Sequence, residues 1–296
     1  MVPMKTLDPL ARAAALSFWS APVEPIALKG GITNANFEVR DRGQRYFVRI
    51  GDDIPVHGVM RFAELAASRA AHAAGLAPEV LHHEPGAIIF RFIEGRTLTP
   101  ETVRPRSMLE RILPLLKRCH RELPRHLRGP VLMFWPFHIF RDYAATLRDV
   151  NSPRMRELPA VLAKADDLER RLGPIDLVFG HNDLLCGNFI DDGRRLWLID
   201  YDYAGYSSSL FDIGNLCSNN DVSPEDEEWL LGAYFERPVD DALRHRYHAM
   251  KCASLLRETM WSMIAERFST LDFDYAAYTE DYRGRFQRAY DSLKQY

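Results

Sequence analysis

The sequence predicts an α+β chain in two lobes: a small N-terminal lobe of antiparallel strands, residues 1–95, and a larger, mainly helical lobe, residues 96–296. Three observations predict it. At 296 residues the chain is too long for one small core and fits two. Between Ile26 and Phe92, short apolar runs with strand-like alternation are separated by turn residues. From Thr97 onward, apolar residues recur mainly three and four apart, as on helix faces.

In chain order, residues 1–20 read as a helix, and Pro22 and Pro25 then force an extended form. A strand begins at Ile26-Ala27-Leu28. It leads into a polar turn carrying Gly30, Gly31, Thr33, Asn34 and Asn36, before Phe37-Glu38-Val39. The two glycines let backbone approach a phosphate closely, and the three polar side chains offer hydrogen bonds. A hairpin turn with no ligand accounts for the same residues equally well. Asp41-Arg42-Gly43 turns the chain into the alternating strand Tyr46–Ile50. An alanine-rich helix follows from about Arg61 to Ala74, stopped by Gly75 and Pro78. Two strands, Val80–His83 and Ala87–Phe92, turn at Pro85-Gly86 and run into Phe92-Ile93-Glu94-Gly95, which reads as the connector between lobes.

In the second lobe, Leu109, Ile112, Leu116 and Cys119 keep helix spacing, with Pro114 expected to kink the helix. The aromatic run from Phe134 to Phe140 is expected to pack the core, and another helix runs from about Leu158 to Leu172. The stretch from Leu177 to Leu216 carries the most information. An apolar strand, Leu177–Phe179, precedes a loop with His181, Asp183 and Asn188; a turn at Asp191-Asp192-Gly193 precedes a second strand, Leu196–Ile199, and then Asp200. Two strands joined in this way bring Asp183, Asn188 and Asp200 to one end of a hairpin. One carboxylate can then accept a proton, while an amide and a carboxylate offer hard oxygens to a cation. Directly after come Asp202, Tyr203 and Tyr206. Aromatic faces beside carboxylates suit an alkylammonium ion, although a packed tyrosine-rich loop explains them too.

The spacing has a known counterpart. Asp183 to Asn188 is five positions and Asp183 to Asp200 is seventeen, in the patterns H-N-D-x-x-x-x-N, I-D-Y-D-Y and F-D-I-G-N. The stretch resembles the choline/ethanolamine kinase branch of the aminoglycoside phosphotransferase-like small-molecule kinases, which have a protein-kinase-like fold. The resemblance implies transfer of the ATP γ-phosphoryl group to the hydroxyl of choline or ethanolamine, with Mg²⁺. It implies that Asp183 orients the alcohol and accepts its proton, and that Asn188 and Asp200 hold the metal. It further implies that the Gly30-Gly31-x-Thr33-Asn34 turn covers the phosphates and that Arg49 stands where protein kinases carry a lysine. Glu64 then pairs with Arg49, where the plain alternative is favourable charge near a helix N-terminus. Phe92, Ile93 and Glu94 become the adenine hinge, and His181 becomes structural. Trp261 matches the second indole of the W-x-x-W that eukaryotic choline kinases carry; Glu258 stands in place of the first. Kinases of thiamine or an aminoglycoside, and a nucleotide-binding regulator without turnover, stay open as alternatives.

Composition bounds the rest. Apolar residues make up 47% and charged residues 27%, as in ordinary globular proteins, and the net charge of -3 argues against nucleic acid as a partner. No apolar run approaches the eighteen or so residues of a membrane span, so no membrane insertion is expected, and no signal peptide is read. The four scattered cysteines show no metal or redox spacing and read as reduced thiols in a cytoplasmic protein.

Overall fold

Alternating apolar residues build the first sheet. The computed structural model describes residues 8–28, 34–269 and 271–293. In it, β1 (Ile26–Ala27), β2 (Ala35–Asp41), β3 (Gln44–Ile50), β4 (Val80–Glu84) and β5 (Ala87–Arg91) lie in the order β1-β2-β3-β5-β4, every pair antiparallel. Phe37, Val39, Val48, Ile50 and Ile89 share one small core with Ala13 and Leu16 of the N-terminal segment. That segment corrects the helix read over residues 1–20: α1 spans only Pro9–Ala14, capped by Asp8. Beyond it, residues 16–19 serve tertiary packing, with the Trp19 indole N–H donating to the Ala13 carbonyl at 2.8 Å.

The helix α2 (Arg61–Ala73) joins the two halves. Its small residues Ala67, Ala70 and Ala71 let it sit closely on the main core of the second half, and Gly75, at φ +69°, ends it. After β6 (Arg96–Thr97) and α3 (Pro100–Val103), the chain is mostly helical: α4 (Arg106–Arg121), α5 (Pro136–Asp149) and α6 (Leu158–Arg170). Pro114 lies on the exposed side of α4, which runs through it without interruption.

The stretch read as one hairpin is two structures. β7 (Leu177–Gly180) pairs with β10 (Gly205–Ser208), whereas β8 (Phe189–Asp191) pairs with β9 (Leu196–Leu198) and with β6. Leu177–Phe179 is therefore not the partner of Leu196–Ile199. The tight turn at Asp192-Gly193 closes β8 onto β9, because the Asp192 carboxylate accepts the N–H groups of Arg194 and Arg195, both at 2.8 Å. Asn188 immediately precedes this hairpin and Asp200 follows it, and the Ile199 N–H donates to the Asn188 carbonyl at 2.9 Å. Gly95 packs against the same hairpin so closely that an added Cβ would lie 2.8 Å from the Asp191 carbonyl oxygen.

The remaining helices are α7 (Ser209–Asn219), α8 (Pro224–Phe235), α9 (Asp241–Phe268) and α10 (Tyr275–Leu293). α9 has no glycine or proline, starts on the Asp240 cap, and runs 28 residues through the middle of the lobe between α5, α6, α7 and α10. Its buried residues from Leu255 to Ala265 carry one wall of the site. Among the described residues, no helix is long and apolar enough to cross a membrane.

Candidate active site

The loop after β7 is held from below. Asp212 on α7 is fully buried, and its carboxylate accepts from the backbone N–H of His181 at 2.7 Å and of Asn182 at 2.6 Å, and from His120 Nε2 at 2.8 Å. Asn215 accepts the Leu184 N–H at 2.5 Å and Asn220 donates to the Leu184 carbonyl at 2.8 Å. His181 is itself structural, with Nε2 2.9 Å from the Ile199 carbonyl. These bonds rigidify the backbone on both sides of Asp183. Two non-glycine residues of the site, Asn182 at φ +64° and Asp200 at φ +68°, sit in the left-handed region. Such conformations cost energy and persist where surrounding contacts over-determine them.

Asp183 is brought beside Asn188, whose side-chain N–H group donates to the Asp183 carbonyl at 2.8 Å and lies 3.4 Å from its carboxylate. That donation turns the amide so that its oxygen is free for another partner. The Asp183 carboxyl is pushed up to about 8. Burial is the main cause, Glu258, Asp200 and Asp202 add to it, and Arg257 opposes it from 4.0 Å.

Opposite Asp183 lies a closed ionic cluster. Arg49 Nη1, on β3, meets Glu64 at 2.6 Å, Asp200 at 2.9 Å and Asp202 at 2.9 Å. The Arg49–Glu64 pair expected from chain order is thus present, and Glu64 is not merely a charge near a helix end. Arg61, which sequence reasoning missed, is the second cation: it bonds Glu64 at 2.6 Å, Asp202 at 2.9 Å and Asn34 Oδ1 at 2.5 Å. It stands three residues before Glu64 on α2, and that helical spacing was the available signal. Burial, with Asp202 adding, raises the Glu64 carboxyl to about 7 against the two guanidinium groups. For Asp202 burial also acts upward, but Arg49 and Arg61 overcome it and hold the carboxyl below its usual range.

Asp202 requires a correction. It was read on the alkylammonium side, yet its second oxygen accepts from Asn34 at 2.8 Å and it belongs to the cluster around Arg49. The left-handed turn at Asp200 sends both carboxylates to the same guanidinium. Only Asp200 keeps substantial exposure, 24% of its side chain against 3% for Asp202, so Asp200 is the one open to a cation. Tyr206 is corrected too: on β10, its half-buried ring packs edge-on against Phe179 at 5.4 Å, on the side of the core. Gly30, Gly31 and Thr33 lie outside the described residues. Asn36 sits on β2 opposite Arg49. In the connector, Phe92 lies under the Arg45 guanidinium at 3.8 Å and Glu94 pairs with the same arginine at 2.5 Å, while Ile93 is half-buried.

Beyond Asp183, α9 supplies a pocket wall. The Trp261 indole N–H donates to Tyr203 Oη at 2.9 Å, and its ring stacks on His57 at 5.2 Å. The Tyr203 face is covered by the Arg257 guanidinium at 4.1 Å. Glu258 is buried and spoken for, with Arg257 at 2.7 Å and the Tyr278 hydroxyl at 3.1 Å. His57 and Tyr143, whose Nδ1 and Oη are 3.2 Å apart, complete this side and carried no sequence signal. Burial first, and then Arg257, holds the His57 imidazole down at about 3. The arrangement can orient a hydroxyl at Asp183 between a hard-oxygen pair and an arginine cluster, which is the layout of phosphoryl transfer.

Comparison with known proteins agrees. The family model described as choline/ethanolamine kinase matches residues 25–229. The chain belongs to the choline/ethanolamine kinase family. Members of this family are phosphotransferases with an alcohol group as acceptor. Among relatives, ethanolamine kinase 2 of Mus musculus is 27% identical over 84% of this chain and 72% of its own length. The crystal structure of a choline/ethanolamine kinase family protein from Mesorhizobium loti superimposes with a TM-score of 0.74 at 30% identity, covering 97% of this chain and 93% of that one. LicA in complex with AMP gives a TM-score of 0.75 at 22% identity over 94% and 95% of the two chains, a likeness of fold.

Proposed function

We propose that this chain transfers the γ-phosphoryl group of ATP to the hydroxyl of a small amino alcohol, ethanolamine ahead of choline. The observation that carries the reading is the convergence of Asp183, Asn188 and Asp200 on one side of the Arg49–Glu64 pair. Asp183 orients the alcohol and takes its proton in the ionised form, which burial opposes and Arg257 favours. Arg49, held by Glu64, faces the α- and β-phosphates, with Asn34 beside the same cluster. The relatives' names as kinases and the AMP complex of LicA support a nucleotide as substrate.

Mg²⁺ fits the donors present. Among the described residues, no three acidic, histidine or cysteine side chains form a self-sufficient metal site. The Asn188 amide oxygen and the exposed Asp200 carboxylate are two hard ligands that leave the remaining positions to phosphate oxygens and water, as Mg²⁺ prefers. When bound, the ion would neutralise charge on the phosphates. With Glu64 ionised, three carboxylates against two guanidinium groups leave the cluster one negative charge, which a divalent cation reverses. Asn188 and Asp200 thereby make an otherwise repellent cleft receptive to a triphosphate.

The preference for a primary amine follows from covered aromatic faces. A trimethylammonium group needs open rings, but Arg257 occupies Tyr203 and His57 occupies one face of Trp261. A primary ammonium is instead satisfied by acceptors. The lobe boundary is placed at Gly95, and the unpaired cysteines suit a cytoplasmic protein. The test is ATP turnover with and without Mg²⁺ on ethanolamine, choline, thiamine and an aminoglycoside. Mg²⁺-dependent turnover with kcat/KM greatest for ethanolamine is the expected result. Turnover confined to thiamine or the aminoglycoside, or none with any alcohol, overturns it.

A further inference from the structure

Arg257 is buried on α9 beside the reacting centre. Its Nη1 serves Glu258 at 2.7 Å and lies 4.0 Å from Asp183 Oδ1. Its Nε and Nη2 are buried and have no hydrogen-bond partner. Those two nitrogens form one edge of the guanidinium, the edge whose parallel N–H groups receive two oxygens of a phosphoryl or carboxylate group. Among the other described arginines with unpartnered buried nitrogens, Arg12, Arg49 and Arg246, each leaves only one. A buried donor edge without acceptors is costly and calls for a ligand. The rest of the side chain is fixed: Nη1 is tied to Glu258, and the plane lies on Tyr203.

We propose that the Nε–Nη2 edge of Arg257 is an oxyanion site, which holds two oxygens of the phosphoryl group as it passes to the acceptor. The proposal rests on the kinase reading above and names a catalytic residue within it. Nη1 of the same guanidinium lies 4.0 Å from Asp183, which keeps the group near the transferred phosphoryl and favours it over a more remote anion. In the transfer, the alcohol oxygen bonds to the γ-phosphorus, and the bond from that phosphorus to the β–γ bridging oxygen breaks with its electron pair leaving on ADP. The alcohol proton passes to Asp183. Charge accumulates on the equatorial oxygens, which the two parallel donors of the edge meet once the substrates open the buried site to them. A carboxylate carried by the acceptor itself would satisfy the same edge, and the experiment separates these two sources.

Two variants keep the test independent of folding. Arg257→Lys retains the charge beside Glu258 and loses the parallel pair of donors. Arg257→Met with Glu258→Leu removes the buried ion pair as a unit, which such pairs tolerate better than loss of one partner. Melting temperature and Mg-ATP binding report the fold. Calorimetry with Mg-ADP measures ethanolamine and O-phosphoethanolamine binding, and turnover is measured with ethanolamine and L-serine. Relative to ethanolamine, both variants should bind O-phosphoethanolamine roughly tenfold or more weakly than the wild type does, and both should lose about 10²-fold or more in kcat. If the wild type instead prefers L-serine and Arg257→Lys abolishes that preference, the edge belongs to the acceptor's carboxylate and the phosphoryl assignment is overturned. Wild-type product affinity and kcat in both variants would overturn the oxyanion site itself. Should no alcohol be phosphorylated by the wild type, the kinase reading fails alone. The difference in O-phosphoethanolamine binding then still decides the site.

Discussion

The two sides of the cleft are built on opposite plans. On the nucleotide side, Arg49, Arg61, Glu64, Asp200, Asp202 and Asn34 bond one another so that nearly every charge has a partner at 2.5–2.9 Å. On the acceptor side, Asp183 holds a carboxyl far above its ordinary range, and Arg257 leaves two donors without acceptors. The first arrangement is stable in itself. The second is under tension until substrate arrives, as sites tuned for chemistry commonly are. Breaking the first should therefore cost stability, whereas neutralising the second should cost activity and relieve the fold.

The largest effect is expected at Asp183. Asp183→Asn should lower kcat roughly 10²–10⁴-fold and leave Mg-ATP binding in place, read by steady-state kinetics and calorimetry. The same change should stabilise the protein without ligands. A folded-state value of about 8 lies above that of an unfolded aspartate, near ~3.9, so the native state carries a burden that grows as pH rises between them. The neutral amide escapes it, by on the order of 4 kcal/mol at pH 7 for these two values. A variant that melts lower than wild type would show that no such tension exists.

Arg61→Met probes the other plan. It leaves Glu64 and Asp202 sharing Arg49 alone and takes one donor away from Asn34. Loss of one partner from a buried ionic cluster should cost about 3 kcal/mol, visible in urea unfolding. An unchanged midpoint would mean that the cluster contributes no stability. A smaller effect is expected of Asp200→Ala, which removes a metal ligand with some exposure. The Mg²⁺ midpoint for ATP binding should rise by at least about tenfold, and an unaltered titration would move the metal elsewhere.

This contrast also tracks what could be read from the sequence. Asp183, Asn188 and Asp200 were legible because their spacing is set locally by a loop and a short hairpin, although the hairpin is β8–β9 rather than the pairing expected. Arg49 and Glu64 were legible from their order on a strand and the following helix. Asp202 and Tyr206 were misread because their directions depend on the left-handed turn at Asp200 and on β10. That strand, Gly205–Ser208, is too short and polar to announce itself. The acceptor pocket was least legible. His57 reaches Trp261 from a distant loop, and Arg257 covers Tyr203 only because α9 crosses the lobe at that point. Neither contact leaves a local pattern.

The smallest effect sharpens the acceptor side alone. His57 is held neutral, chiefly by burial and then by Arg257, with its folded value near 3, below the ~6.5 of an exposed histidine. For a depressed histidine the unfolded chain binds the proton first. Stability is therefore complete above the unfolded value and is lost as pH falls toward the folded one. Between pH 7.5 and 5.5 this group should cost the wild type about 1 kcal/mol. His57→Phe keeps a ring for Trp261 to stack on and removes the titration, so the difference in unfolding free energy should shift in favour of the variant as pH falls. His248, also depressed by burial, titrates alike in both proteins and drops out of the comparison. A difference independent of pH would mean that water reaches His57 and that this wall of the pocket is open.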